Sequence, residues 1–128
     1  MCAEDERRIL IISSSTDIQR ILRLSLEMSV DWSIITVGSV SEGLALAAAA
    51  PPHVILLDAN LSDIDALTAL QTLRNAPATQ PSRVIVLASR VRLSQQRQFS
   101  QMGAVAVISD PFNSANLAQQ IAIALGWL

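Results

Sequence analysis

The sequence predicts an α/β fold of the (βα)5 kind, a doubly wound five-stranded parallel sheet with helices on both faces. Two observations carry that expectation. Five short runs of branched apolar residues recur along the chain: Ile9 to Ile12, Ile34 to Val37, Val54 to Leu57, Val84 to Leu87 and Val105 to Ile108. They are continuous rather than alternating, as strands buried on both faces of a parallel sheet are. Their starts are 25, 20, 30 and 21 residues apart, room each time for one helix and two loops. The 128 residues suit a single domain spanning 1–128. A hydrophobic fraction of 51% against 16% charged supplies a core and excludes disorder.

The gaps between the runs carry helical signals. After Asp17, a first helix is expected with Ile18, Ile21, Leu22 and Ser25 on its inner face and Leu24 and Met28 widening the stripe. Ser39-Val40-Ser41-Glu42 reads as a capping box opening an alanine-rich helix that Pro51-Pro52 stops. Leu67, Leu70, Leu73 and Arg74 define a third helix, closed before Pro77. Ser94 to Met102 form a fourth, ended by Gly103. Asn113 or Ser114 can cap a fifth, with Leu117, Ile121 and Leu125 inward and Gly126 after it.

Composition closes off several function classes. The longest apolar stretch, Leu44 to Ala50, is far short of the roughly 20 residues that span a bilayer, and Met1 to Arg8 is too polar for a signal peptide. A cytoplasmic protein without membrane contact is expected. One cysteine and one histidine make neither an internal disulfide nor a Cys/His metal cluster. All nine basic residues are arginine. Without lysine there is no Walker-type phosphate loop and no Schiff-base amine. A net charge of −2 is of the wrong sign for nucleic acid, and Trp32, Trp127, Phe99 and Phe112 are the whole aromatic supply for base or flavin stacking.

In open parallel sheets, ligands bind at the carboxyl ends of the strands. The residues there are Ser13-Ser14-Ser15-Thr16, Asp58, Ala88-Ser89 and Ser109-Asp110-Pro111. Adjacent strands lie about 4.8 Å apart, so Ser13 or Ser14 approaches Asp58 if the first and third strands are neighbours.

At these residues the chain resembles the receiver domain of two-component response regulators. Pro52-His53-Val54-Ile55-Leu56-Leu57-Asp58-Ala59-Asn60-Leu61 is similar to the family's phosphoacceptor strand, with Asp58 as phosphoacceptor. Ser62-Asp63-Ile64-Asp65-Ala66 resembles the following loop, usually Pro-Asp-x-Asp-Gly. Met102-Gly103-Ala104 and Asp110-Pro111-Phe112 resemble the Gly-Ala and Lys-Pro-Phe signatures. The resemblance runs through all five units. It implies the strand order 2-1-3-4-5, a flavodoxin-like arrangement, and a cis Asp110-Pro111 bond.

The departures lie in the pocket. Ser13-Ser14 stand where the family has the acids that hold Mg²⁺. Ala88 replaces its Thr or Ser, with a hydroxyl displaced to Ser89. Asp110 replaces its lysine, and Val107 its aromatic switch residue. Formal pocket charge is unchanged at −2, from Asp58 and Asp110 in place of three acids and a lysine. Hydroxyls are weak ligands for Mg²⁺, and an aspartate repels phosphoryl oxygens that a lysine would pair with.

The expectation is a degenerate pseudo-receiver in phosphorelay signalling that acts by protein–protein interaction. No cofactor is expected, the usual Mg²⁺ binding being lost, and no turnover, since no base–nucleophile pair or metal set is visible. With no output domain in these residues, the effect passes to a signalling partner (a histidine kinase or downstream effector) or through self-association. In receivers the fourth helix, fifth strand and fifth helix form the partner surface, which here carries Arg90, Arg92 and Arg97. One alternative keeps Asp58 as a working phosphoacceptor. Another is a small-ligand or phosphate site at Ser13 to Thr16, against which the lack of glycine counts. His53, Trp32 and Trp127 are expected to pack, and Cys2 needs no role.

Overall fold

The computed structural model describes residues 8–29, 32–59, 65–89, 93–110 and 117–125. Strands and helices alternate throughout: β1 (Arg8–Ile12), α1 (Thr16–Ser29), β2 (Ser33–Val37), α2 (Val40–Ala49), β3 (Val54–Asp58), α3 (Ala66–Asn75), β4 (Arg83–Ser89), α4 (Leu93–Gln101), β5 (Ala104–Asp110) and α5 (Leu117–Leu125). The sheet is parallel, in the order β2-β1-β3-β4-β5. Both the (βα)5 architecture and the expected order hold.

Successive strand residues face opposite sides, so each strand feeds two cores. Leu10 and Ile12 of β1, Ile55 and Leu57 of β3, and Val84 and Val86 of β4 pack with Val40, Leu70, Leu73 and Phe99 from α2, α3 and α4. Ile9, Ile11, Leu56, Ile85 and Leu87 pack with Leu22 and Leu26 of α1 and Ile121 and Leu125 of α5. Burial on both faces holds for β1 and β3, and for β4 from Val84 to Ala88. It fails at the edges, where Ile35 of β2 and Val105 of β5 are exposed. An edge strand has a neighbour on one side only, and helices cover it incompletely. Val105 is also the extra residue of a bulge: Val84 pairs with Ala104, but Ile85 pairs with Ala106.

The first helix corrects the expected stripe. It starts at Thr16, before Asp17. Its inward line is the partly buried Ile18 and the buried Leu22 and Leu26, spaced by four, while Ile21 and Leu24 are 50% and 52% exposed. At 100° per residue Ile21 lies about 100° and Leu24 about 160° from Leu22 around the helix, so Ile21 falls on the flank of the stripe and Leu24 on the far side, and hydrophobicity alone did not separate them from its centre. The second helix opens as expected: Ser39 Oγ accepts from the Glu42 N–H at 3.2 Å, and Glu42 Oε1 accepts from the Gly38 N–H at 3.2 Å. A Cβ on Gly43 would stand 3.0 Å from Ile12 Cδ1, so this glycine lets α2 lie close against β1. Helix α4 begins one residue earlier than expected, and Gly103 after it has φ +106°. The expected caps Asn113 and Ser114, the Asp110-Pro111 bond and Gly126 lie outside the described residues.

The amino ends of the strands are tied by side chains to backbone. The Arg8 guanidinium donates twice to the Pro51 carbonyl, at 3.0 and 2.8 Å. The Arg8 N–H donates to His53 Nδ1 at 3.0 Å, so His53 has a structural partner. Ser82 Oγ donates to the Pro52 carbonyl at 2.6 Å, and Arg83 Nη1 to the Leu125 carbonyl at 2.5 Å.

Candidate functional site

The register of β1 on β3 matches Ile12 with Leu57, which sets Ser13 opposite Asp58. Alternation turns both side chains to one side of the sheet, Ser13 with Ile9 and Ile11, Asp58 with Val54 and Leu56. Ser13 is fully buried and Asp58 is 7% exposed. Ser13 Oγ donates to Asp58 Oδ2 at 2.7 Å, a short bond to a carboxylate. The same oxygen accepts from the Ser15 N–H at 3.1 Å.

Three further groups hold that pair. The Ser13 N–H donates to the Val37 carbonyl at 3.1 Å, extending β1 beyond its last paired residue. Gln19 reaches back from α1, its Nε2 donating to the carbonyls of Ser13 at 2.6 Å and Val37 at 3.1 Å. Ser15 caps α1: its Oγ accepts from the Ile18 N–H at 3.3 Å and its carbonyl from the Gln19 N–H at 3.0 Å. Of the Ser13 to Thr16 run, Ser13 and Ser15 thus bond within the chain. On the far side of Asp58, the Ala59 N–H donates to the Leu87 carbonyl at 2.8 Å.

The remaining expected residues divide by strand. Asp58 pairs in register with Leu87, Ala88 with Ser109, and Ser89 with Asp110. Ala88 is buried, and Val107 packs against the same core, so no hydroxyl or aromatic ring links these two positions. The side chains of Ser89 and Asp110 lie outside the described residues, as do Arg90 and Arg92. Arg97 stands exposed on α4. Among the described residues, no three His, Cys, Asp or Glu side chains come together to hold a metal ion. No helix among them is long and apolar enough to cross a membrane.

Sequence reasoning missed Gln19, which carries no motif and acts on carbonyls from two strands. It also missed Asp65 as the cap of α3, although Asp-x-x-Thr is a readable capping pattern. Asp65 Oδ1 accepts from the Thr68 N–H and Oδ2 from Thr68 Oγ1, each at 2.9 Å. The Thr68 N–H, then its hydroxyl, hold the Asp65 carboxyl below its ordinary range.

Comparison with known proteins agrees with this architecture. Residues 9–122 match the family model of the response regulator receiver domain. The chain is 23% identical over 128 residues to a probable chemotaxis protein CheY of Rhizobium etli, covering 100% of this chain and 99% of that protein. It is 34% identical over 104 residues to the transcriptional regulatory protein KdpE of Mycobacterium tuberculosis, covering 81% of this chain and 44% of that one. For KdpE of Escherichia coli the values are 31% over 117 residues, 91% and 50%, so the chain spans about half the length of these regulators. Chemotaxis response regulator CheY4 of Vibrio cholerae superposes with a TM-score of 0.83 at 18% identity, covering 93% of this chain and 98% of that one. With strand order, register and the buried Asp58 all in agreement, the chain belongs to the response regulator receiver domain family of two-component signalling.

Proposed function

We propose that this receiver domain is a pseudo-receiver, which signals by protein–protein interaction without Mg²⁺-dependent phosphorylation of Asp58. The observation that supports this reading best is the Ser13 hydroxyl, buried and donating to Asp58 Oδ2 at 2.7 Å. Ser13 and Ser14 occupy the positions of the family's metal-holding acids. A neutral hydroxyl that donates to the acceptor carboxylate competes with a cation for that oxygen, and it brings no charge to hold one. Mg²⁺ demands near-octahedral oxygen ligands and favours carboxylates, so this donor set does not fit it. Phosphoryl transfer to a carboxylate is mostly positioning and charge neutralisation. With Asp110 in place of the lysine, the pocket offers no cation from that position either.

The partner in this reading is a signalling protein, a histidine kinase or a downstream effector, or a second copy of the chain. The face that includes α4 and Arg97 is the contact surface. No catalytic turnover is assigned to the domain. The test is incubation with acetyl phosphate, with and without Mg²⁺, followed by intact-mass analysis. The expected result is no phosphoryl adduct under either condition. A Mg²⁺-dependent adduct that Asp58→Asn abolishes would make the domain a working phosphoacceptor.

A further inference from the structure

The two edges of the sheet are built differently. β2 and β5 end the strand order, so among the described residues each has a neighbouring strand on one side only. An open edge presents unpaired N–H and C=O groups, and chains blunt it with a bulge, a charge or a proline. β5 has its bulge at Val105, where Val84 pairs with Ala104 but Ile85 with Ala106. β2 has none of these devices. Its register on β1 is unbroken from Ser33 to Val37, and Trp32 to Ser41 hold neither a charged residue nor a proline.

One hydrogen bond fixes which backbone groups of β2 face the open edge. The Val37 carbonyl accepts from the Ser13 N–H at 3.1 Å, so it points to β1. In a strand, the N–H and C=O of one residue point to one side and those of the next residue to the other. Ser33, Ile35 and Val37 therefore turn theirs to β1, while Ile34 and Thr36 turn both groups outward. Between those two stands Ile35, 38% exposed, with its side chain on the same side of the sheet as that of its register partner Leu10.

We infer that the β2 edge pairs antiparallel with the β2 edge of a second copy of this chain, about a two-fold axis at Ile35. The inference rests on the self-association route of the reading above and places it apart from the α4 face. The backbone pattern is self-complementary. With Ile35 opposite its own copy, Ile34 of each chain faces Thr36 of the other, and each such pair exchanges two hydrogen bonds. Every outward N–H and C=O of Ile34 and Thr36 is then satisfied. The two Ile35 residues meet as a non-hydrogen-bonded pair with Cα atoms about 4.5 Å apart, and they withdraw apolar surface from water. Because the strand is neutral, no like charges oppose each other across the axis. The bulge at Val105 denies a regular β5 edge to an incoming β2, so copies close as a dimer and do not extend into an open chain. A strand of five residues buries less than the roughly 1,600 Å² of a standard interface, so the dimer exchanges with monomer.

The test is sedimentation velocity of the whole chain from about 10 μM to about 1 mM, where a reversible dimer and no larger species is expected. Ile35→Lys sets two like charges opposite each other and should weaken the dimer by about tenfold or more. Thr36→Pro removes an outward N–H without touching the β1 ladder and should do the same. Val105→Lys puts the same charge on the other edge, beyond a Debye length, and should leave the dimer within about twofold. Crosslinking reads the register even where a variant strand is weakened. In a Cys2→Ser background, Ile35→Cys should give a disulfide-linked dimer with oxidised glutathione, because a non-hydrogen-bonded pair matches disulfide geometry. Ser33→Cys should give none, since Ser33 lies opposite Val37 in this register. A monomer at every concentration, a dimer that both Ile35→Lys and Thr36→Pro leave intact, equal loss with Val105→Lys, or equal crosslinking through Ser33→Cys would overturn the inference. All of this is read without phosphodonor, so the β2 pairing can fail while the pocket reading holds, and the reverse.

Discussion

The two ends of the sheet are held by different kinds of contact. At the amino ends of the strands, Arg8, Ser82 and Arg83 each bond a backbone carbonyl: those of Pro51, Pro52 and Leu125. Each bond closes one loop onto the sheet and depends little on the others. At the carboxyl ends, side chain meets side chain: Ser13 donates to Asp58, with Ser15 and Gln19 bonded to Ser13. The first end serves the fold, since any sequence with these loops must satisfy those carbonyls. The second end is a small network whose members can be exchanged together without disturbing the strands. On the pseudo-receiver reading proposed above, that difference lets a receiver backbone persist around an altered pocket.

The largest expected effect comes from rewriting the second end. Ser13→Asp, Ser14→Asp, Ala88→Thr and Asp110→Lys together should restore Mg²⁺ binding and acetyl phosphate labelling at Asp58. The groups needed are few and sit on rigid strand ends. Partial sets should be far from additive. Intact-mass labelling of the fourfold variant, beside the same variant carrying Asp58→Asn, decides it. A folded fourfold variant that takes no label would mean that the pocket differs in more than its side chains.

The next effect is on stability. Ser13→Ala removes a buried bond to a carboxylate and should cost about 2 kcal/mol in urea unfolding. Ser82→Ala leaves the Pro52 carbonyl without its 2.6 Å donor and should cost about 1 to 2 kcal/mol. The contrast lies in the cycles. Ser13→Ala should lose about half its effect when Asp58 is already Asn, because the two residues share one bond. Ser82→Ala and Arg8→Gln act on different carbonyls and should add within about 0.5 kcal/mol. Additivity at both ends would erase the difference between them.

Much of this was legible in the sequence, and the reasons differ by region. Central strands announce themselves because burial on both faces demands unbroken apolar runs, as at Ile9 to Ile12 and Val54 to Leu57. That Ser13 or Ser14 would approach Asp58 was legible once the first and third strands were taken as neighbours; the register of β1 on β3 selects Ser13. The bulge at Val105 was not legible, since an extra residue in an edge strand leaves no mark in an apolar run. Nor were the ties of Arg8 and Ser82, which reach across 43 and 30 residues to carbonyls, groups that every residue carries. On α1 the apolar count misled, because Ile21 lies on the flank of the buried line and Leu24 on the opposite side of the helix.

A smaller effect belongs to pH. The Thr68 N–H and hydroxyl lower the Asp65 pKa in the folded state, so this carboxylate contributes stability above its unfolded value of about 3.9. That contribution is lost as pH falls through the lower folded value. The stability gap between wild type and Asp65→Asn should therefore shrink between about pH 5 and pH 2. Urea unfolding at several pH values measures it, and a gap constant with pH would show that capping here owes nothing to charge.

The smallest expected effect is the most discriminating. Asp58→Asn should change unfolding free energy by no more than about 0.5 kcal/mol. The asparagine keeps the shape and presents an oxygen to the Ser13 hydroxyl. A hydrogen bond to a charged oxygen is worth more than one to an amide oxygen, which favours Asp58. Holding a carboxylate at 7% exposure costs desolvation that the amide avoids, which favours the asparagine, and the two terms are of similar size. Near-neutrality would mean that the aspartate stays in place as one half of an exchangeable pair, while the strands carry the fold. A loss of several kcal/mol in urea unfolding would instead show that the charge itself is bound by a cationic group of the chain, with Arg90 the first to replace by glutamine in a second variant. In that case the carboxyl end of the sheet would hold the fold as firmly as the amino end does.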